Sequence, residues 1–254
     1  MARHIAPDAK LRRIALAFRE SLGKVANVAM NGQDVEKEFA AERWSRSSMP
    51  KKHVIAAAFA TLCEEDRDGD KLLGPQYFWR CSMSAKRKMG LSKVKTILHA
   101  VGVRRPRSYD EWPPIQEFVH DFSASSHSIP QVTGEEECGW GLQDEFQLVF
   151  AAESEMYKAG PKKRSAFITR DLVKLCLVEC PVKVVVYCGY GDRDGEKKGI
   201  VVDRITQTIK RCPSPGKRNC GWLLIGLVGR WPHETQPYFH ALKAGDDEAV
   251  ELHL

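Results

Sequence analysis

The sequence predicts an α/β fold, with a mainly helical first part followed by a mixed sheet flanked by helices. Three observations carry this expectation. Apolar residues recur at helical spacing over residues 11–18 and again over 53–59. Two apolar runs of strand length, 182–188 and 222–228, stand in the second half, the first rich in valine. Between and around them the pattern runs helix, hairpin, helix, strand, helix, strand, strand, and such an order packs most naturally as a sheet covered by helices.

Taken in order, the two helical patterns near the N-terminus are followed by expected helices over 76–83 and over 91–98, the latter with Ser92 as its N-cap. Residues 104–114 contain three prolines and form the expected boundary between a helical region, 1–108, and an α/β domain, 109–254. A helix is expected over 112–122, then a polar, turn-rich stretch to Gly134. Residues 137–142 and 146–153 read as a β-hairpin turning at 143–145. A helix over 165–179 is stopped by Pro181. After strand 182–188 come a glycine-rich loop, 189–195, a helix over 198–210, strand 222–228 and a strand over 238–242 that pairs beside it.

Composition narrows the class. Hydrophobic residues make up 43% of the chain and charged residues 28%, as in ordinary globular proteins, and no run approaches the roughly 18 apolar residues that span a bilayer. No secretory signal pattern is visible at the N-terminus, so a cytoplasmic location is expected. The eight cysteines are scattered without a C-x-x-C pair, which points to reduced, packed thiols rather than a disulfide framework or a zinc site.

The net charge of +6 is unevenly spread. Residues 1–110 carry 22 Lys and Arg against 12 Asp and Glu, and residues 71–108 hold ten basic residues and no acid. Such a run suits a polyanion, since basic side chains that neutralise phosphates release condensed counterions. Arg80, Lys86, Arg87, Lys88, Lys93, Lys95, Arg104 and Arg105 are the expected nucleic-acid contacts. The segment 66–70, Asp-Arg-Asp-Gly-Asp, superficially resembles a calcium loop, but Lys71 occupies its sixth position and Tyr77 its twelfth, where glycine and glutamate are required. It reads as an acidic turn between helices.

The chemistry concentrates at the end of the strand that includes residues 146–153. Side chains alternate along a strand, so Glu153 and Glu155 share one face. Two adjacent carboxylates repel each other, and a divalent cation relieves that repulsion while using their oxygens. On the following helix, Ile168, Leu172, Leu175 and Cys176 form the buried stripe, and Asp171 and Lys174 share another face from which the lysine can lean over the strand end.

These elements together, with Glu137-Cys138-Gly139-Trp140, Ala152-Glu153-Ser154-Glu155, Asp171-Leu172-Val173-Lys174 and the strand 182–187, resemble the core of the PD-(D/E)XK nuclease superfamily, the restriction-endonuclease-like proteins. The resemblance covers about 90 to 110 residues of the second half and leaves the N-terminal half unexplained. It implies a restriction-endonuclease-like mixed sheet and an acid on one hairpin strand that joins an E-x-K element on the next to bind Mg2+, with Mn2+ as a substitute. On this chain the E-x-K element falls on Glu153 and Glu155, and the preceding acid on Glu137 or Asp144. The family's lysine is thus a glutamate, Lys174 stands as its displaced equivalent, and Glu117 is available as a fourth carboxylate. The function implied is a metal-dependent endonuclease acting on double-stranded DNA, in restriction, defence against foreign DNA or repair. RNA is the alternative substrate and a homodimer the common assembly for cutting two strands. The competing expectation is a nuclease-fold DNA-binding or regulatory protein that no longer cleaves. No phosphate-binding loop, nucleophile elbow or H-E-x-x-H helix points elsewhere.

Overall fold

The computed structural model describes residues 7–31, 48–74, 77–81, 96–103, 121–126, 147–156, 160–190, 192–211, 220–229, 236–243 and 246–254. Their elements are α1 (Pro7–Asn31), α2 (Ser48–Asp68), β1 (Phe78–Cys81), β2 (Phe122–Ser125), β3 (Leu148–Glu155), α3 (Pro161–Cys176), β4 (Val182–Cys188), α4 (Gly195–Arg211), β5 (Gly221–Val228), β6 (Gln236–Lys243) and β7 (Val250–Leu252). A short 3-10 turn at Asp192–Asp194 leads into α4.

The seven strands form one sheet in chain order, β1 to β7. β1, β2 and β3 are successively antiparallel, β3, β4 and β5 are parallel, and β6 and β7 return antiparallel. The two parallel steps require crossovers, supplied by α3 and α4. Both helices bury their apolar stripes on one sheet face, where Ile168, Leu172, Leu175, Val201 and Ile205 meet Ala151, Val185, Tyr187, Trp222 and Leu224. The opposite face is covered by α1 and α2, whose Leu11, Ile14, Phe18, Ile55 and Phe59 pack on Phe122, Phe150, Val184, Val186, Leu223 and Ile225. Phe59 is the hub of an aromatic cluster, with ring centroids 4.6 Å from Phe18, 5.4 Å from Phe122 and 5.3 Å from Phe150. The result is a three-layer α/β/α arrangement.

Several expectations are met with shifted ends: the two N-terminal helices, strands β3 to β6 and the two crossover helices. Others are corrected. Part of the expected helix 76–83 is β1, because Phe78, Trp79 and Cys81 pair with β2 and Trp79 stacks on Phe122 at 5.8 Å. The expected helix 112–122 ends instead in strand, and the stretch expected to be turn-rich begins inside β2. β3 takes β2 and β4 as its two neighbours, with Phe122–Ser125 its antiparallel partner; the segment 137–142 of the expected hairpin lies outside the described residues. Of the expected helix 91–98, the described part is helical from residue 96 to 100. The sequence placed a boundary at 108–109; β1 from before it joins the sheet of the strands after it, and α1 and α2 share one core with them.

The acidic turn after α2 joins a helix to a strand, and Asp66 explains it. Its buried carboxylate accepts from the backbone N–H of Leu72 at 2.6 Å and Leu73 at 3.0 Å and from the Tyr77 hydroxyl at 3.0 Å. With those oxygens engaged, the loop is a structural turn, and Lys71 takes the left-handed conformation that closes it, with φ of 53°. At the far side of the sheet, Gly226 and Gly189 leave room for the Tyr238 ring: a Cβ on Gly226 would lie 2.0 Å from Tyr238 Cζ. Five described cysteines, Cys63, Cys176, Cys180, Cys188 and Cys220, are buried, as packed thiols should be.

Candidate functional site

β3 brings the site together. Phe150 and Ala152 point to the α1/α2 layer, whereas Ala151 faces the α3/α4 layer, so alternation puts Glu153 on the α3 side. The Glu153 side chain is only 1% exposed, yet it has a counter-charge: Lys174 Nζ lies 3.5 Å from Glu153 Oε2. The same ammonium lies 3.2 Å from Asp171 Oδ1, one helical turn back. Lys174 therefore sits between two buried carboxylates while remaining 37% exposed itself. Burial pulls its pKa down, but Glu153 and Asp171, with Asp121 behind them, outweigh that and hold the lysine above its ordinary value.

The third carboxylate comes from an unexpected place. Phe122 is opposite Ala152 in the β2–β3 register, which brings Asp121, the residue before β2, to the level of Glu153. Asp121 Oδ2 accepts from the Ser154 backbone N–H at 2.9 Å and from the Ser154 hydroxyl at 2.8 Å. Lys52, on the first turns of α2, adds an ion pair at 3.1 Å. Asp121 is thus pinned to β3 between Glu153 and Glu155 and anchored to the opposite helical layer. Glu155 ends β3, one alternation beyond Glu153 and opposite Tyr187 of β4, and it too is buried.

Of the residues the sequence singled out, Glu153, Glu155 and Lys174 are on one strand end and the helix above it, and Lys174 meets Glu153 directly. Glu117, Glu137 and Asp144 lie outside the described residues, as do Lys86, Arg87, Lys88, Lys93, Lys95, Arg104 and Arg105. Arg80 is on β1. Sequence reasoning missed Asp121 because it stood in an expected helix, and it gave Asp171 no role beyond its position beside Lys174. The available signal was indirect: β3 needed an antiparallel neighbour, and an acid just before such a neighbour would land beside Glu153.

Glu153 and Asp121 offer the hard oxygen donors that Mg2+ takes. Among the described residues, however, no group of three or more His, Cys, Asp or Glu side chains is placed to hold a metal ion. The described carboxylates do not by themselves make a magnesium site. What the arrangement offers directly is a half-open ammonium set among carboxylates at the rim of a sheet. Among the described residues no helix is long and apolar enough to cross a membrane. No family model matches the chain, and neither a curated protein nor a solved structure matches it.

Proposed function

We propose that the chain is a metal-dependent nuclease that hydrolyses DNA phosphodiester bonds on a restriction-endonuclease-like fold. The observation that carries this reading is the ion pair of Lys174 with Glu153 at the end of β3, with Asp121 at the same level in the β2–β3 register and tied to Ser154 and Lys52. The order antiparallel pair, helix, parallel strand from β2 through α3 to β4 is also the order on which the nuclease resemblance rests.

In this reading Asp121 takes the place first sought at Glu137 or Asp144, and Lys174 supplies the positive charge that Glu155 cannot. An ammonium held in place before the substrate arrives stabilises charge that develops on a phosphate without reorganising. Glu153 and Asp171 hold Lys174 protonated and aimed, and Ser154 fixes Asp121. Mg2+, or Mn2+ in its place, would supply an activated water and charge neutralisation when bound. Its donors would be Glu153 and Asp121 with a further carboxylate from outside the described residues.

The described carboxylates favour a second reading as well. Because they do not complete a metal site and Glu155 stands where the family keeps lysine, a DNA-binding or regulatory protein on the same scaffold is the alternative. Supercoiled plasmid incubated with the protein and Mg2+ or Mn2+ separates the two. Nicking or linearisation that EDTA abolishes supports the enzyme, whereas DNA binding with intact plasmid under both metals supports the alternative. Competition by RNA and single-stranded DNA in the same assay ranks the substrates.

A further inference from the structure

The exposed side of α3 is chemically one-sided. Lys162, Lys163, Ala166, Arg170, Val173 and Leu177 follow one another at helical spacing, and all are exposed. α3 contains a single acid, Asp171, and that acid is turned inward onto Lys174. Among the described residues Lys162, Lys163 and Arg170 enter no ion pair. The other crossover helix contrasts with this, since Lys197, Lys198 and Lys210 of α4 are paired with Asp194, Glu251 and Asp247.

The position of the lysines sharpens the contrast. The first turn of a helix carries partial positive charge from its unpaired N–H groups, so acids are favoured there and cations are not. α3 nevertheless begins Pro161-Lys162-Lys163-Arg164 with no acid in that turn, and its N-cap, Gly160, contributes no side-chain acceptor. Arg164 has a structural use for its charge: it is buried, donates to the carbonyls of Cys188 at 2.5 Å and Gly189 at 3.1 Å, and stacks 3.9 Å above the Tyr190 ring. Lys162 and Lys163 have no such use, and folding alone does not account for two unpaired cations placed against the helix dipole.

Lys163, Arg170 and Lys174 lie seven and four residues apart, so they line one side of α3 as a ridge. At 1.5 Å per residue the ridge is about 16 Å long, running from the helix N-terminus to the ammonium that meets Glu153. We infer that this ridge is a phosphate-tracking surface: Lys162, Lys163 and Arg170 hold the backbone of a DNA strand and lead it to the carboxylates of β3. The inference rests on the nuclease reading and moves the principal contact from the basic run 71–108 to α3. Lys174 belongs to the site and is left intact in the test.

The test is binding of a fluorescein-labelled DNA duplex by anisotropy, without divalent metal, over a salt series. The wild type is compared with the triple variant Lys162→Gln/Lys163→Gln/Arg170→Gln and with Lys210→Gln as a control. Each phosphate contact contributes about −0.9 to the slope of log K against log salt, so the triple variant should lose about two to three units of slope. Its affinity should fall at least about tenfold near 100 mM salt, with an unchanged thermal melt, while Lys210→Gln binds as wild type does. If wild type binds or cleaves DNA and the triple variant matches it in affinity and slope, the ridge is refuted and the nuclease reading stands. If wild type neither binds nor cleaves, both fall together.

Discussion

Replacing Lys174 by Met keeps the aliphatic stem of the side chain and removes its charge, which makes it the sharpest perturbation of the site. The ammonium lies 3.5 Å from Glu153 and 3.2 Å from Asp171, carboxylates that are 1% and 7% exposed. At an effective dielectric of about 20, each contact is worth about 5 kcal/mol of direct attraction. The net value is far smaller, because Lys174 is 37% exposed and solvent screens it, and because burying the ions costs part of the gain. We expect Lys174→Met to lower stability by about 2 to 3 kcal/mol at pH 7, from two buried carboxylates left facing one another. In the wild type the sign is the reverse of an acid's: the lysine's pKa is raised by folding, so its contribution is complete below the ordinary lysine pKa and is lost as pH rises through the elevated value. Urea unfolding followed by tryptophan fluorescence from pH 5 to 11, with Glu153→Gln and the double variant closing a thermodynamic cycle, measures all of this. A loss below about 0.5 kcal/mol at pH 7, with no coupling to Glu153, would refute the account of Lys174 as the charge that holds the site together.

Three further outcomes follow from the same structure. Asp66→Ala strands the N–H groups of Leu72 and Leu73, so it should cost about 2 to 4 kcal/mol in urea unfolding, and added Ca2+ should not shift the wild-type melt. Gly226→Ala drives a methyl into the Tyr238 ring and should cost about 1 to 3 kcal/mol, with Tyr238→Ala in the same chain giving less than the sum of the two single losses. Burial pushes the Cys180 thiol up to about 12, so iodoacetamide at pH 8 should leave it unmodified in the folded protein and alkylate it after denaturation, as peptide mass mapping will show.

Legibility in the sequence followed side-chain character and element length. β4 is a run of valines with a tyrosine and β5 an uninterrupted apolar octet apart from two glycines, and both are legible because buried parallel strands need apolar side chains on both faces. α3 and α4 declare themselves by their stripes. β1 and β2 do not: Phe78–Cys81 and Phe122–Ser125 are four residues each, and Phe-Ser-Ala-Ser has too little apolar contrast to separate a strand from a helix end. Their pairing is decided by the Phe59, Phe122 and Phe150 cluster, which joins residues far apart in sequence. That loss propagated into the site, since Asp121 is meaningful only once β2 is a strand beside β3. Glu153 and Lys174 were legible because each needed only a local periodicity, two for the strand and 3.6 for the helix. Lys183 is a different case. It is fully buried in β4 with its ammonium 5.1 Å from the centroid of the Trp222 ring, where alternation marks an inward position but not the charge it carries.

Cleavage of an end-labelled duplex in Mg2+ or Mn2+ tests the proposal that Asp121, Glu153 and Lys174 act together on a DNA phosphodiester. Wild type should cut, and Asp121→Asn, Glu153→Gln and Lys174→Met, each verified as folded, should each reduce the rate by at least about 100-fold, the scale of losing a group that stabilises the transition state. Wild-type cleavage that survives in all three variants, or its absence under both metals, would contradict the account.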